Sequence, residues 1–197
     1  MNDQEHFYQA LFDTVAEFQV MPEVDRKLCY EYMEPLSVPK GTILYPAGKV
    51  PEYHNFVVSG FMRNFHLNEK GEEITTDINH GRRFFTAYVD FMNRTVTREN
   101  IQAVTDCEIL RAHRDDVDYM YQHGTIIKEY TMYILQYHLE VEKIRAREMA
   151  TLTAEERYRN FINGQPQTVH HVPLQYIASF LGIKPESLSR IRRKMLS

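Results

Sequence analysis

The chain has 197 residues, 43% of them hydrophobic and 25% charged, with a formal net charge of -4. That length supplies one large domain or two small ones with a sizeable core. The charge is uneven: residues 1–142 carry 13 Lys/Arg against 23 Asp/Glu, a net of -10, while residues 143–197 carry 10 against 4, a net of +6.

An acidic body with a basic C-terminal quarter points to two jobs in one chain. No stretch approaches the roughly eighteen consecutive apolar residues of a membrane-spanning helix. The start, Met1-Asn2-Asp3-Gln4-Glu5, is acidic and lacks the apolar run of a signal peptide. Cys29 and Cys107 stand far apart with no Cys-x-x-Cys, which argues against a disulfide scaffold, a thiolate zinc site or a four-cysteine iron–sulfur cluster. A soluble cytoplasmic protein without a membrane partner is expected.

Residues 4–33 read as helical, with Phe7, Leu11, Val15 and Phe18 on one face and a break at Met21-Pro22, where Pro22 opens a second short helix. The texture changes at Pro35. Short β-branched or aromatic runs follow at 42–45, 55–58, 61–67, 73–78, 101–104 and 108–112, punctuated by glycines. The run 61–67 alternates, which predicts one buried and one wet face. Asn68-Glu69-Lys70-Gly71 reads as a hairpin with Gly71 at positive φ. Many short strands between glycine turns mean a sandwich, jelly roll or small barrel.

After Arg114 the texture is helical again. A short turn over 115–123 ends near Gly124, read as a left-handed stop. A long helix over about 125–149 carries Ile127, Tyr130, Ile134, Tyr137, Val141 and Ile144 at spacings of 3, 4, 3, 4 and 3. That is an a/d heptad row, and it favours a two-helix seam over a face packed on the chain's own sheet. Thr153 and Glu156 form a capping box for a further helix. Residues 165–172 read as a connector, with His170 and His171 pointing apart, and the last two helices cover 173–180 and 185–196.

Those last two helices fit a helix-turn-helix. Ala178 sits where the helices approach closely, Gly182 takes the tight turn, and Ile177, Leu181, Ile183, Leu188 and Ile191 are apolar where the helices face each other. Arg190, Arg192, Arg193 and Lys194 place four cations in five residues, which suits phosphate-lined grooves. Glu186 and Arg190 are positioned to read base edges, cytosine amino group and guanine respectively. Ser187 and Ser189 can donate to phosphate or base, Arg192, Arg193 and Lys194 to the backbone, and Gln175 and Lys184 sit at helix starts suited to phosphate. Double-stranded DNA is the expected partner.

The whole order, Gly41, Gly48, Val57-Val58-Ser59-Gly60, Gly71 and Gly81, then a long helix and Ala154-Glu155-Glu156-Arg157-Tyr158 through Arg193, resembles the Crp/Fnr superfamily of bacterial transcription regulators. The resemblance covers roughly residues 5 to 197. It implies an α+β chain with an N-terminal double-stranded β-helix (a jelly-roll-like β-roll), a long dimerisation helix and a C-terminal helix-turn-helix. It implies domains at 1–124 (β-roll sensor with N-terminal helices), 125–150 (dimer helix) and 151–197 (reader). It further implies a homodimer on a palindromic operator, RNA polymerase as a partner and an effector in the β-roll.

Two departures stand out. The family's phosphate cassette has Phe-Gly-Glu followed by Arg-Ser/Thr-Ala, whereas this chain has Gly81-Arg82-Arg83-Phe84-Phe85-Thr86-Ala87-Tyr88, and Thr97 falls at the arginine position. Cyclic AMP or cyclic GMP is therefore not expected as a cofactor. An unknown effector would sit near Phe84, Phe85, Thr86, Tyr88, Arg94, Thr95 and Arg98. The β-hairpin wing that should follow the recognition helix is truncated or absent at Ser197.

A cyclic-nucleotide-responsive regulator is the alternative reading. A cupin-like metalloenzyme is more distant, because Phe56 occupies the position of the second histidine after His54. No catalytic or metal-ligating set is expected.

Overall fold

The computed structural model describes residues 4–79 and 81–196. Met1, Asn2, Asp3 and Ser197, the outer ends of the expected domains, lie outside the described residues. Two helices, α1 (Glu5–Ala16) and α2 (Glu23–Tyr32), come first. Phe7, Leu11 and Val15 are buried on one face of α1, as their spacing predicts, and Phe18 packs at its margin. Pro22 precedes α2 with an extended backbone, where its missing N–H costs nothing.

Eight strands follow: β1 (Glu34–Val38), β2 (Ile43–Tyr45), β3 (Tyr53–Ser59), β4 (Met62–Leu67), β5 (Glu73–Ile78), β6 (Arg83–Phe84), β7 (Asn100–Ala103) and β8 (Cys107–His113), with helix α3 (Tyr88–Asn93) between β6 and β7. They form two four-stranded antiparallel sheets, ordered β1-β8-β3-β6 and β2-β7-β4-β5. Val38, Val57, Met62, Phe85, Ile101, Ala103, Cys107 and Ile109 form a core on the inner faces. This is the expected β-roll. Sequence reading found six of the strands. It missed the two-residue β6 and also β1, which contains Pro35, a residue that sheets tolerate at an edge, where β1 lies.

The hairpin between β4 and β5 turns at Gly71 with φ +76°, and the Asn68 carboxamide accepts from the backbone N–H of Lys70 and Glu72. One expectation fails on β4. Met62, Arg63, Asn64 and Phe65 are all buried, so the face predicted to be wet is covered. What covers it is the C-terminal domain.

Helix α4 (Arg114–His123) leads into α5 (Ile127–Thr151), the longest helix. Gly124 ends α4 as expected but not in the left-handed conformation: its φ is -78° and its ψ 162°. Glycine is required there by space, since a Cβ would lie 2.8 Å from both Asp25 Oδ1 and the Met120 carbonyl oxygen. The N-terminal end of α5, with α1, α2 and α4, packs on the β1-β8-β3-β6 sheet around Leu11, Phe56, Leu110 and Tyr130.

The C-terminal helices are α6 (Ala154–Gly164), α7 (Pro166–His171), α8 (Leu174–Phe180) and α9 (Pro185–Leu196). Thr153 and Glu156 cap α6 reciprocally, the predicted box. Residues 166–171 are helical rather than a connector, with Pro166 at the first helical position. His170 and His171 therefore stand on a helix, and His171 stacks on Phe61 at 5.2 Å. The C-terminal core of Tyr158, Phe161, Val172, Ile177, Ala178, Leu181, Ile183 and Leu188 continues into Ile78 and Val104 of the β-roll.

Candidate nucleic-acid interface and effector cavity

The turn from α8 to α9 is built as the sequence dictates. Ala178 and Ile177 are fully buried, and Gly182 has φ +63°. The Ile183 N–H reaches back to the Ala178 carbonyl (2.8 Å) and the Gly182 N–H to that of Ser179 (3.1 Å), which together make a Schellman stop. Leu188, fully buried, holds α9 against α8.

With that face inward, Glu186, Arg190 and Arg193, spaced four and three apart, stand exposed on the opposite side of α9, and Arg192 is exposed beside them. Arg190 Nη2 donates to Ser187 Oγ at 3.3 Å, which steers the guanidinium along the helix. Ser189 is half-buried. Lys194 differs from expectation in its local partner: its ammonium pairs with Glu155 Oε2 of α6 at 2.9 Å. That pair and hydrogen bond hold the Glu155 carboxyl below the usual carboxylate range. Gln175 and Lys184 are exposed on opposite sides of the turn. They border a groove of about 580 Å³ whose other wall is Arg63, Glu72, Glu73 and Ile74 of the β4–β5 hairpin.

The expected effector residues separate into two places. Phe84, Phe85, Thr86 and Tyr88 line a cavity of about 310 Å³ between the β-roll and α5. Arg94, Thr95 and Arg98 do not. Arg94 is on the surface, paired with Asp118 (3.2 Å) and Asp115 (3.5 Å), Thr95 donates to Asp90 (2.9 Å), and Arg98 is exposed. The loop after α3 turns outward at Arg94, whose φ is +56°. Thr97, at the family's arginine position, is buried in the loop between α3 and β7 and bonded to Lys49 through its backbone.

The charged wall of the cavity comes instead from residues the sequence reading passed over. Arg83 pairs with Asp77 at 2.6 Å and lies 3.3 Å from His138 Nδ1, and its Nε is buried without a partner. From α5 come His138, Glu142 and Arg145, at spacings of four and three, a polar stripe beside the apolar row that periodicity alone exposes. Glu99 accepts from the Thr76 hydroxyl at 2.5 Å. His54 lies between this cavity and a small apolar one beneath α5, stacked on Phe84 at 4.5 Å. Burial pushes its imidazole down to about 3, so it is neutral.

The heptad row on α5 is likewise divided. Tyr130 is buried, and Ile127 and Ile134 pack with it against their own β-roll; Val141 is half-buried. Only Tyr137 and Ile144 of the row are exposed. The large apolar side chains left open on α5 are Met132, Tyr133, Tyr137, Leu139, Ile144 and Met149, and Met132, Gln136, Leu139 and Lys143 follow spacings of four, three and four. Among the described residues no helix is long and apolar enough to cross a membrane.

The chain is a β-roll joined through one long helix to a helix-turn-helix. Residues 35–123 match the family described as the cyclic nucleotide-binding domain, and the chain has the fold of Crp/Fnr-type regulators. Similar solved structures include FixK2 from Bradyrhizobium japonicum (TM-score 0.71, 16% identity, 83% of this chain and 84% of that one) and a CooA mutant from Carboxydothermus hydrogenoformans (0.66, 18%, 85% and 78%). The catabolite activator protein of Thermus thermophilus is similar at a TM-score of 0.56, with 18% identity over 91% of this chain and 85% of that one. No curated protein sequence matches the chain.

Proposed function

We propose that this chain is a DNA-binding transcription regulator that reads a palindromic operator as a homodimer in the cytoplasm. The observation that carries the reading is α9, whose apolar face is locked into a helix-turn-helix core while Glu186, Arg190 and Arg193 stand together on its outer side. The cations of residues 143–197 then supply the phosphate-directed charge, and the acidic β-roll is held away from DNA. The exposed side of α5 around Met132, Leu139 and Ile144 is the dimer seam, and pairing there sets two readers one helical turn apart, about 34 Å. RNA polymerase is the natural further partner of such a regulator. Catalysis is not part of this reading.

The match to the cyclic nucleotide-binding domain favours a second reading, in which cyclic AMP or cyclic GMP is the effector. The residues at the site speak against it. Phe85, buried in the inter-sheet core, stands where the family places the glycine–glutamate pair, and Arg83, the cation nearest the cassette, is already engaged by Asp77. The effector is thus a different small molecule held between Phe84, Tyr88 and the polar stripe of α5.

Selection of duplexes from a random pool by the purified chain, followed by binding titrations at several salt concentrations, tests the proposal. A palindromic consensus with affinity falling steeply in salt supports it; enrichment of no sequence sinks it. Calorimetry with cyclic AMP and cyclic GMP tests the second reading.

A further inference from the structure

We propose that the small cavity beneath α5 binds a soft monovalent metal ion, Cu(I), held by Cys29, Met21 and His54. The site stands apart from α9 and from the 310 Å³ cavity, and it does not depend on the DNA-binding reading.

The sulfur pair is set by the start of α2. Met21 lies in the turn between α1 and α2, and Cys29 is on the inner face of α2; both side chains are buried. The Cys29 thiol donates to the Met21 thioether, with Sγ and Sδ 3.9 Å apart. Two sulfurs bonded to one ion at about 2.3 Å in trigonal geometry stand about 4.0 Å apart. An ion can therefore take the place of the shared proton with little movement. Met33 and Met120 line the same cavity, which measures about 40 Å³. One water needs roughly 10–15 Å³ on this scale, so the space admits a bare ion but not its hydration shell.

The nitrogen comes from β3. His54 is 5% exposed, lines this cavity and stacks on Phe84 (4.5 Å) and Phe91 (5.5 Å). Stacking engages the face of the imidazole, and neither ring nitrogen has a hydrogen-bond partner among the described residues. Buried polar groups nearly always have a partner. A neutral imidazole edge sharing a cavity with thiol and thioethers is matched by a metal ion.

Charge and softness select the ion. Burial, and after it the Asp25 carboxylate, pushes the Cys29 thiol up to about 12, so the sulfur is protonated until a metal arrives. Binding breaks the S–H bond, forms a metal–sulfur bond and releases the proton to water, with no change of oxidation state. A monovalent ion then leaves the buried charge as it was, whereas a divalent ion adds one unit to an apolar space. The Asp25 oxygens are engaged by Thr125 and Ile126 and are not ligands. Thiolate and thioether together favour Cu(I) over harder ions.

The test titrates the purified full chain with Cu(I) against the chelator bicinchoninate, under reducing conditions without oxygen, and records X-ray absorption of the product. One ion per chain is expected, with two sulfur neighbours at about 2.3 Å and one nitrogen. Cys29→Ala should lower the affinity about a hundredfold, and Met21→Leu and His54→Phe about tenfold each. Cys107→Ala should bind like the unmodified chain, because the Cys107 thiol is committed to the Phe61 and Thr105 carbonyls at 3.3 Å each. Met21→Leu nearly conserves volume, so it decides the matter should Cys29→Ala fail to fold. No ion retained against the chelator, a spectrum without sulfur neighbours, or unchanged affinity in any of the three ligand variants overturns the site.

Discussion

Asp25 and Thr125, a hundred residues apart, meet at the start of the longest helix. The fully buried Asp25 carboxylate on α2 accepts from the Thr125 N–H (2.8 Å), the Thr125 hydroxyl and the Ile126 N–H (3.2 Å). No side chain of α5's own N-terminal flank caps that helix, so the N-terminal helices supply the cap from a distance. The negative carboxylate also complements the helix dipole. Asp25→Ala strands the buried Ile126 N–H and unpairs that of Thr125, and should cost about 1–3 kcal/mol of stability, measured by urea denaturation. A loss under about 0.5 kcal/mol would show that the contact is dispensable.

His54 predicts an acid sensitivity. Its folded value is pushed by burial from 6.5 to about 3. Between those limits the unfolded chain holds a proton that the folded chain refuses, so stability is full above about pH 6.5 and falls as pH drops towards 3. At about pH 4.5 this one group should cost roughly 3 kcal/mol. Carboxylates add their own pH dependence, so the informative quantity is a difference. His54→Phe should flatten the stability profile between about pH 6.5 and 4.5 by that amount, and parallel profiles would count against a neutral buried imidazole.

The division of the α5 row separates two effects of mutation. Leu139 is 62% exposed, whereas Ile134 packs against the β-roll core. Leu139→Glu should leave the melting temperature nearly unchanged and convert a dimer to a monomer in sedimentation equilibrium. Ile134→Glu should instead lower the melting temperature, because it replaces an apolar contact with the β-roll core by a carboxylate. A Leu139→Glu protein that still sediments as a dimer would move the seam elsewhere.

Within α9, Arg190 and Arg193 should behave differently. Arg190→Ala is expected to weaken specific binding by about 1–3 kcal/mol and relax preference at one base pair. Arg193→Ala should weaken binding alike on all sequences and lower the salt slope by about one. Competition titrations with single-base operator variants would tell them apart; an unchanged base preference in Arg190→Ala removes its reading role.

What the sequence determined by itself is what neighbouring residues decide together. The Gly71 hairpin, the Thr153–Glu156 box, the Pro22 and Pro185 starts and the Ala178–Gly182 turn each depend on local backbone geometry, which a few adjacent side chains dictate. The segmental charge belongs here too, since the +6 of residues 143–197 needs no fold to be counted.

What only the tertiary structure decided are the faces that other parts of the chain cover. Apolar periodicity marks a stripe on α5 but not its partner, and the β-roll takes Ile127, Tyr130 and Ile134 before a second chain can. Alternation on β4 predicts a wet face, yet the reader covers Arg63 because four hydrogen bonds and the Tyr176 ring replace the water a guanidinium would lose. Arg94 and Arg98 lie near the cavity in sequence but outside it in space, while Arg83 reaches it from beside Phe84 and His138 and Arg145 reach it from the distant α5. Burial and charge pairing are long-range sums, and they become legible only once the chain has closed on itself.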